Sequence, residues 1–491
     1  MKRRDFVALA GAMPFAGLAG CVSPAQSPSA AAATPASLVG GRADFTVRIV
    51  PTSIEIASGH TVKTTTYGGV VPGPTLRMRE GVPVTVDVFN ETDATDVVHW
   101  HGQVVPPSVD GVIELGTPPV LARGHRRYRF IPKPRGTRWY HTHIAPGGHP
   151  DRGGFNGEFG FVIVEPHNDP GRYDREVLLA LHEWEARLVT GQGHDESNAA
   201  SLAQPATEKG GGMMSGGMMS GGMMGMTMLE AVYGVFSVNG RALGHGDPIR
   251  VRAGERVLFR ILNASATLTH RLALPGHRFT VVALDGNPVP TPRTVDAIEL
   301  GIAERVDAIV EMNAPGVWIL GSTNSAWRTR GLGTIIEYTG QRGRPVWRDP
   351  AALSPWRYAS FGDTSTIPDA DGRFELVLRQ AMGAKNTWTI NGKSYPNTTP
   401  LEVEHGKRYR IGFRNMSMME HPMHLHGHIF QLASVDGEAT SGVRKDTVVV
   451  RPMGQVEIDL VADNPGTFLL HCHNELHMDG GLITTLAYRG T

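Results

Sequence analysis

The sequence predicts an all-β protein, and three observations carry that expectation. Glycine and proline are abundant, with 60 and 34 copies among 491 residues, as in chains that turn often. The stretch from Val47 to Thr92, VRIVPTSIEIASGHTVKTTTYGGVVPGPTLRMREGVPVTVDVFNET, alternates apolar and polar residues between turn signals. That is the pattern of half-buried strands. A shorter pattern then recurs. REGVPVTVDVFNET, VRAGERVLFRILNAS and VEHGKRYRIGFRNMS each set a turn before a strand and an Asn after it. Three copies indicate internal repetition.

Length alone allows two to four domains. The formal net charge is zero, which argues against a nucleic-acid partner. Residues 1–21, MKRRDFVALAGAMPFAGLAGC, have a basic start, an apolar run from Phe6 to Ala19 and small residues after it. The run is too short to span a bilayer, so the segment reads as an export signal. Arg3-Arg4 with Phe6 resembles a twin-arginine signal. LAGC at 18–21 resembles a bacterial lipobox, in which Cys21 becomes a lipidated N-terminus; the alternative is cleavage in the Ala-rich stretch beyond it. Residues 22–41 read as a disordered tether. Both routes place the mature chain in the bacterial periplasm or cell envelope. No later stretch is apolar enough for a transmembrane helix.

Only two cysteines exist, Cys21 and Cys472. With Cys21 cleaved away or lipidated, the mature chain holds one thiol and no disulfide, which needs an explanation in an oxidising compartment. Cys472 sits in HCHNELHMDGG, between His471 and His473, with His477 five residues on. In a strand, residues i and i+2 share a face and i+1 takes the other. His471 and His473 then face one way and Cys472 the opposite way, and two metal centres are joined by a few covalent bonds. The same spacing recurs in HWHG (His99, His101), YHTH (His141, His143) and HPMHLHGH (His421, His424, His426, His428). Paired imidazoles about 7 Å apart on one strand face suit two neighbouring ions better than one. One such pair is weak evidence; four, one of them enclosing the thiol, are strong. His428 extends the third motif by a further step and reads as structural, as His149 reads as a surface residue. Two imidazoles and a thiolate make a blue-copper electron-transfer site, and His421, Cys472 and His477 supply that set. The remaining histidines are imidazole-only, which suits copper that meets O₂.

These four segments resemble the four copper-binding motifs of the multicopper oxidases, the family of laccases, bacterial cuprous oxidases and copper-resistance proteins. The likeness runs through the mature chain in the family's order and spacing. It implies three cupredoxin-like Greek-key β-sandwich domains, at 42–165, 166–340 and 341–491, with copper motifs only in the first and third. The second is then a spacer that sets the geometry of the other two. It implies four copper ions. His421, Cys472 and His477 would hold a type 1 copper that takes electrons from substrate. His99 and His424 would hold a type 2 copper. His101, His141, His143, His426, His471 and His473 would hold a type 3 pair. Type 2 and type 3 together would reduce O₂ to water. Asp110, in HGQVVPPSVDGV, matches an acidic residue near the oxygen-reducing cluster of relatives, where a carboxylate delivers protons.

Two features bear on the reductant. Cuprous-oxidase-like relatives carry an axial Met ten residues after the type 1 Cys. Here that position is Leu482, which cannot coordinate and implies a higher copper potential. Met418 and Met419 match substrate-site methionines of those relatives, and with Glu420 they form an expected docking point for Cu(I). In addition, residues 210–228 read GGGMMSGGMMSGGMMGMTM. Met pairs every five residues spiral away from any one helix face, and glycine opposes helix and strand. Thioethers are soft ligands that select Cu(I). Met213, Met214, Met218, Met219, Met223, Met224, Met226 and Met228 are therefore candidates for Cu(I) recruitment. The expected function is a copper-dependent oxidase, acting on Cu(I), on phenols or aromatic amines, or on both, with O₂ as acceptor and the chain a monomer. A general laccase is the alternative. A non-enzymatic, lipid-anchored copper-sequestering protein is the alternative of another class.

Overall fold

The computed structural model describes residues 41–166, 172–191, 228–350, 355–383 and 386–490. Three pairs of β-sheets follow one another along these residues. In the first pair, the order His60–Tyr67, Phe45–Ala57, Val84–Asn90, His125–Phe130 packs on the order Gly73–Arg79, Phe159–Glu165, Gly136–Thr142, Val98–His99. Alternation explains the packing. Val47, Ile49, Val86 and Val88 turn inward to meet Leu76, Met78, Val162 and Val164 of the facing sheet. Each such side chain contributes roughly 1.5–3 kcal/mol when fully buried.

The second pair sets Val235–Val238, Arg175–Trp184, Arg256–Asn263, Arg305–Glu311, Phe279–Leu284 and Asn287–Val295 against Ile249–Val251, Gly333–Tyr338, Val317–Ser322, His270–Ala273 and Ala297–Leu300. The third sets Trp388–Ile390, Gly372–Gln380, Arg408–Asn415, Gln455–Val461, Phe430–Val435 and Glu438–Ala439 against Leu401–Val403, Ile483–Tyr488, Thr467–Cys472, His421–Leu425 and Thr447–Val450. Arg444–Lys445 pairs beside Phe430–Val435. A two-stranded ribbon, Arg187–Gly191 with Met228–Val232, stands outside these pairs. Among the described residues no helix is long and apolar enough to cross a membrane.

The repetition seen in the sequence is physical. Each pair of sheets holds the same parallel contact, Phe45–Ala57 with Val84–Asn90, Arg175–Trp184 with Arg256–Asn263, and Gly372–Gln380 with Arg408–Asn415. The Asn that ends each second strand is buried and ties down the loop after it. Asn90 Nδ2 donates to Ala94 and Val120 carbonyls at 2.7 and 3.1 Å. Asn263 Nδ2 donates to Leu268 and Leu300 at 2.8 and 3.0 Å. Asn415 Nδ2 donates to Met419 and Val450 at 2.7 and 3.1 Å. A buried amide that satisfies two carbonyls fixes a loop that has no ladder of its own.

The repeat also shows why the middle copy lacks the metal motif. His270 opens its strand as His421 does in the third copy. Leu272 pairs with Ser322 as Met423 pairs with Cys472. Asn324 caps a helix bearing Trp327 as Asn474 caps one bearing His477. Ser322 and Trp327 thus stand where the third copy has Cys472 and His477, and the donor set is gone.

The first and second units meet at backbone contact. A Cβ on Gly286 (φ +68°) would lie 2.5 Å from the Thr137 amide and carbonyl, so only glycine fits there.

Candidate metal centres

The strand Thr467–Cys472 ends on Cys472, and the helix Glu475–Asp479 turns His477 back toward it. The carboxamide of Asn474 accepts from the Leu476 and His477 amides and starts that helix, as an N-cap should. Cys472 Sγ lies 3.5 Å from His477 Nδ1 and 3.7 Å from His421 Nδ1, and the two nitrogens are 3.1 Å apart. All three residues are buried. Nε2 of His421 donates to Ser417 Oγ at 2.9 Å, which leaves the Nδ1 lone pair for the triad. The Trp388 ring lies against His421 and His477, 4.8 and 4.2 Å between centroids. Burial pushes the Cys472 thiol up and holds His421 down to about 3. A neutral imidazole is a ready ligand, and a bound cation is what stabilises a thiolate in such surroundings. Leu482 is fully buried, and its carbonyl accepts the Cys472 amide at 3.0 Å.

The remaining eight histidines gather on the other side of that strand. His471 groups with His143 and His426, and His473 groups with His101 and His141. The H-x-H pair is thereby split between two ligand triads, and so are His141 and His143. His99 meets His424, with His101 also within reach. His99 Nε2 and His424 Nε2 stand 3.3 Å apart, and His426 Nε2 and His471 Nε2 stand 3.0 Å apart. Two imidazole nitrogens each about 2 Å from a shared ion stand at roughly this separation.

The opposite ring nitrogens are engaged elsewhere, which fixes each ring. His424 Nδ1 donates to the Asp446 carbonyl at 2.8 Å, His471 Nδ1 to the Cys472 carbonyl at 3.0 Å and His141 Nδ1 to the Thr142 carbonyl at 2.7 Å. His101 is reversed: its Nε2 donates to Asp446 Oδ1 at 3.0 Å. That leaves four buried nitrogens without a partner, His101 Nδ1 and the Nε2 atoms of His141, His143 and His473. Buried polar atoms are otherwise almost always satisfied. Their concentration here, with the imidazole donor set, fits copper. Burial holds His141 down to about 3 and His471 down to about 4, so these rings keep their lone pairs.

Known proteins agree with this geometry. Models of the family described as multicopper oxidase match residues 48–169, 215–340 and 372–490. The multicopper oxidase MmcO of Mycobacterium tuberculosis is 34% identical over 99% of this chain and 96% of its own length. The chain belongs to the multicopper oxidase family. A copper resistance protein A homolog of Pseudomonas syringae pv. tomato is 27% identical over 89% of this chain and 91% of its own. In fold, the crystal structure of a multi-copper oxidase from Pseudomonas Thermotolerans superimposes with a TM-score of 0.66 at 24% identity, over 91% of this chain and all of that one (100%). This protein is therefore an oxidoreductase that uses copper and O₂, built on cupredoxin-like β-sandwiches.

Asp110 ends the short helix Pro107–Asp110 between the first and third units of this multicopper oxidase. Its Oδ2 accepts from His426 Nδ1 at 2.8 Å, and its backbone carbonyl accepts from His99 Nδ1. Its Oδ1 is buried without a hydrogen-bond partner, 3.7 Å from His99 Nδ1, and burial raises the carboxyl well above the usual carboxylate range. Near His421 the structure separates the two methionines. Met418 is 54% exposed, whereas Met419 is 7% exposed and packs in the core. Glu420 is half-buried and bonded to the Thr269 hydroxyl, and burial pushes its carboxyl up to about 7. His428 spends both nitrogens on protein, at 3.0 Å to the His426 carbonyl and 2.7 Å to the Tyr488 hydroxyl. His149 is exposed. The methionines from Met213 to Met226 and Cys21 lie outside the described residues; Met228 contributes its backbone to the ribbon.

Sequence reasoning missed Ser417, Trp388, Thr447 and Asp446. Trp388, Thr447 and Asp446 are single residues at least 22 positions from the histidines they touch. For Ser417 a signal did exist, because the NMS after the repeated strand is the loop that Asn415 closes.

Proposed function

We propose that this oxidase holds four copper ions and couples one-electron oxidation of Cu(I), phenols or both to the reduction of O₂ to water. The observation that carries the reading is the split of His471-Cys472-His473 among three donor groups. Cys472 joins His421 and His477, while its two neighbours join separate histidine triads. That partition supports a type 1 site at His421, Cys472 and His477, a type 2 site at His99 and His424, and a type 3 pair at His101, His141 and His473 and at His143, His426 and His471. Bound copper supplies one-electron redox chemistry at the first site and O₂ reduction at the other two. The balance is four electrons and four protons per O₂, giving two waters.

The chain's own residues do the rest. Ser417, Asp446 and the engaged carbonyls hold the rings in one tautomer. Trp388 keeps water from the Cys472 triad. Asp110 sits between His99 and His426, where a buried carboxyl passes protons to reduced oxygen. Leu482 offers no axial donor, which raises the potential of the type 1 copper. We read 42–165, 166–340 and 341–491 as the three domains, each holding one pair of sheets.

For the reductant we favour Cu(I) and a role in copper tolerance in the periplasm, reached through the twin-arginine-like signal and anchored at Cys21. Exposed Met418, Glu420 and the thioethers of 210–228 support that choice, as does a relative named for copper resistance. Leu482 favours the second reading, a general laccase. A sequestering protein would not need converging histidine triads beside the Cys472 site. The test is steady-state oxidation of Cu(I) and of a phenol by the copper-loaded chain, with and without residues 210–228. Loss of Cu(I) oxidation with phenol oxidation spared supports the cuprous oxidase. Unchanged Cu(I) oxidation makes the segment a bystander and moves the laccase reading ahead.

A further inference from the structure

The middle domain brings no histidine to the donor groups, yet its charged side chains hold Asp446, which touches one of them. Arg305 lies at the start of the strand Arg305–Glu311. Its Nη1 and Nη2 donate to Asp446 Oδ1 and Oδ2 at 2.8 and 2.5 Å. Both residues are fully buried. Asp446 Oδ1 in turn accepts from His101 Nε2 at 3.0 Å. The guanidinium is itself held by the Ala303 and Thr137 carbonyls at 3.0 and 3.3 Å. Asp285, in the same domain, accepts from the Asp446 and Thr447 amides at 3.3 and 3.2 Å and from Lys445 Nζ at 2.9 Å. The middle domain therefore engages both the backbone and the carboxylate of Asp446, and Arg138 adds a longer contact to Oδ2 at 3.5 Å.

The consequence falls on His101. It is the ring among the eight whose Nε2 is taken by a carboxylate and whose Nδ1 is left buried without a partner. A carboxylate free to rotate could accept from either face of the loop. A carboxylate gripped at both oxygens has one orientation, because two parallel bonds define a plane. We propose that Arg305 is a positioning residue for the copper cluster. Through its two-pronged grip on Asp446 it fixes which nitrogen of His101 faces His141 and His473. The inference rests on reading His101 as a copper ligand. It makes the middle domain part of the site's second layer of contacts, not only a spacer.

The test uses the full chain with Arg305→Lys, Asp446→Asn and the double variant. Copper affinity of the cluster is measured by chelator competition, its paramagnetic resonance spectrum is recorded, and the blue absorption of the Cys472 site serves as internal control. Lysine keeps the charge but loses the fork. Arg305→Lys should weaken copper binding at the cluster about 10–100-fold, the usual cost of losing an outer partner. It should also alter the cluster's spectrum and leave the blue band in place. Because Arg305 acts through Asp446, the double variant should be no worse than Asp446→Asn alone. Unchanged cluster affinity and spectrum in Arg305→Lys would overturn the inference. So would additive losses, or equal loss of copper from the Cys472 site, which marks a general structural effect. If Arg305→Lys does not fold, the grip is a scaffold only and the inference fails. A wild-type chain that takes up copper only at the Cys472 site would refute the ligand assignment itself, and that outcome is read before any variant is made.

Discussion

The carbonyl of Cys472 accepts from Nδ1 of His471 at 3.0 Å, while the sulfur of the same cysteine lies 3.5 Å from His477 Nδ1. One residue thus has a side chain in one donor group and a main-chain atom bonded to a ring of another. Electrons taken up at the sulfur have a route of a few covalent bonds and one hydrogen bond to His471. Cys472→Ser removes the soft donor and keeps the backbone. The expected outcome is loss of the blue absorption and of oxidation of every reductant, with copper retained at the histidine cluster. Metal analysis and oxygen-electrode traces check it. Residual oxidation of organic dyes at wild-type rate would mean electrons enter elsewhere.

Asp110 is buried, with one carboxylate oxygen on His426 and the other without a hydrogen-bond partner. Asp110→Asn keeps the shape and removes the ionisable proton. O₂ consumption should fall on the order of 10²-fold, the lower end of what a proton-transfer group contributes. Copper content and the blue band should stay the same. Unchanged turnover would leave Asp110 as a brace for His426.

The two methionines before His421 separate by exposure. Met418 is on the surface, and Met418→Leu should slow Cu(I) oxidation while sparing phenols and melting temperature. Met419 is in the core; Met419→Leu conserves volume and should cost under about 1.5 kcal/mol, with little change in either activity. Equal loss of both activities in Met418→Leu would remove it from Cu(I) docking.

Asn90 and Asn415 do the same structural job in two repeats, and only the second closes the loop carrying Ser417 to His421. Replacing either with Ala removes at least two hydrogen bonds to loop carbonyls and should cost about 1–3 kcal/mol in urea unfolding. Only Asn415→Ala should also shift or bleach the blue band. A blue band equally affected by Asn90→Ala would show that the loop does not orient His421.

The candidate donor groups were legible in the sequence because their residues come in tight local spacing. Each H-x-H pair straddles the end of a strand, so its second histidine lies just past the ladder, and Cys472 still joins a different group from its two neighbours. The three-fold repeat was legible too, since turn, strand and Asn recur as a unit. What the middle repeat does was not. Arg305 and Asp285 act from one pair of sheets on another, and nothing in RVDAIV or LDGN marks a residue that will hold Asp446 more than a hundred positions away. Met418 and Met419 looked equivalent because exposure at the end of a strand is decided by tertiary packing. In the middle copy, Ser322 and Trp327 were unreadable as displaced metal positions until strand register aligned them with Cys472 and His477.

The measurement that bears most directly on the central claim is the stoichiometry of the copper-loaded chain. One counts reductant oxidised and O₂ consumed in the same cell, with hydrogen peroxide assayed alongside. Four electrons per O₂ and no peroxide are expected if the Cys472 site feeds a cluster that carries O₂ to water. Two electrons per O₂ with matching peroxide would contradict it, and would mean that the eight histidines do not act as one oxygen-reducing centre.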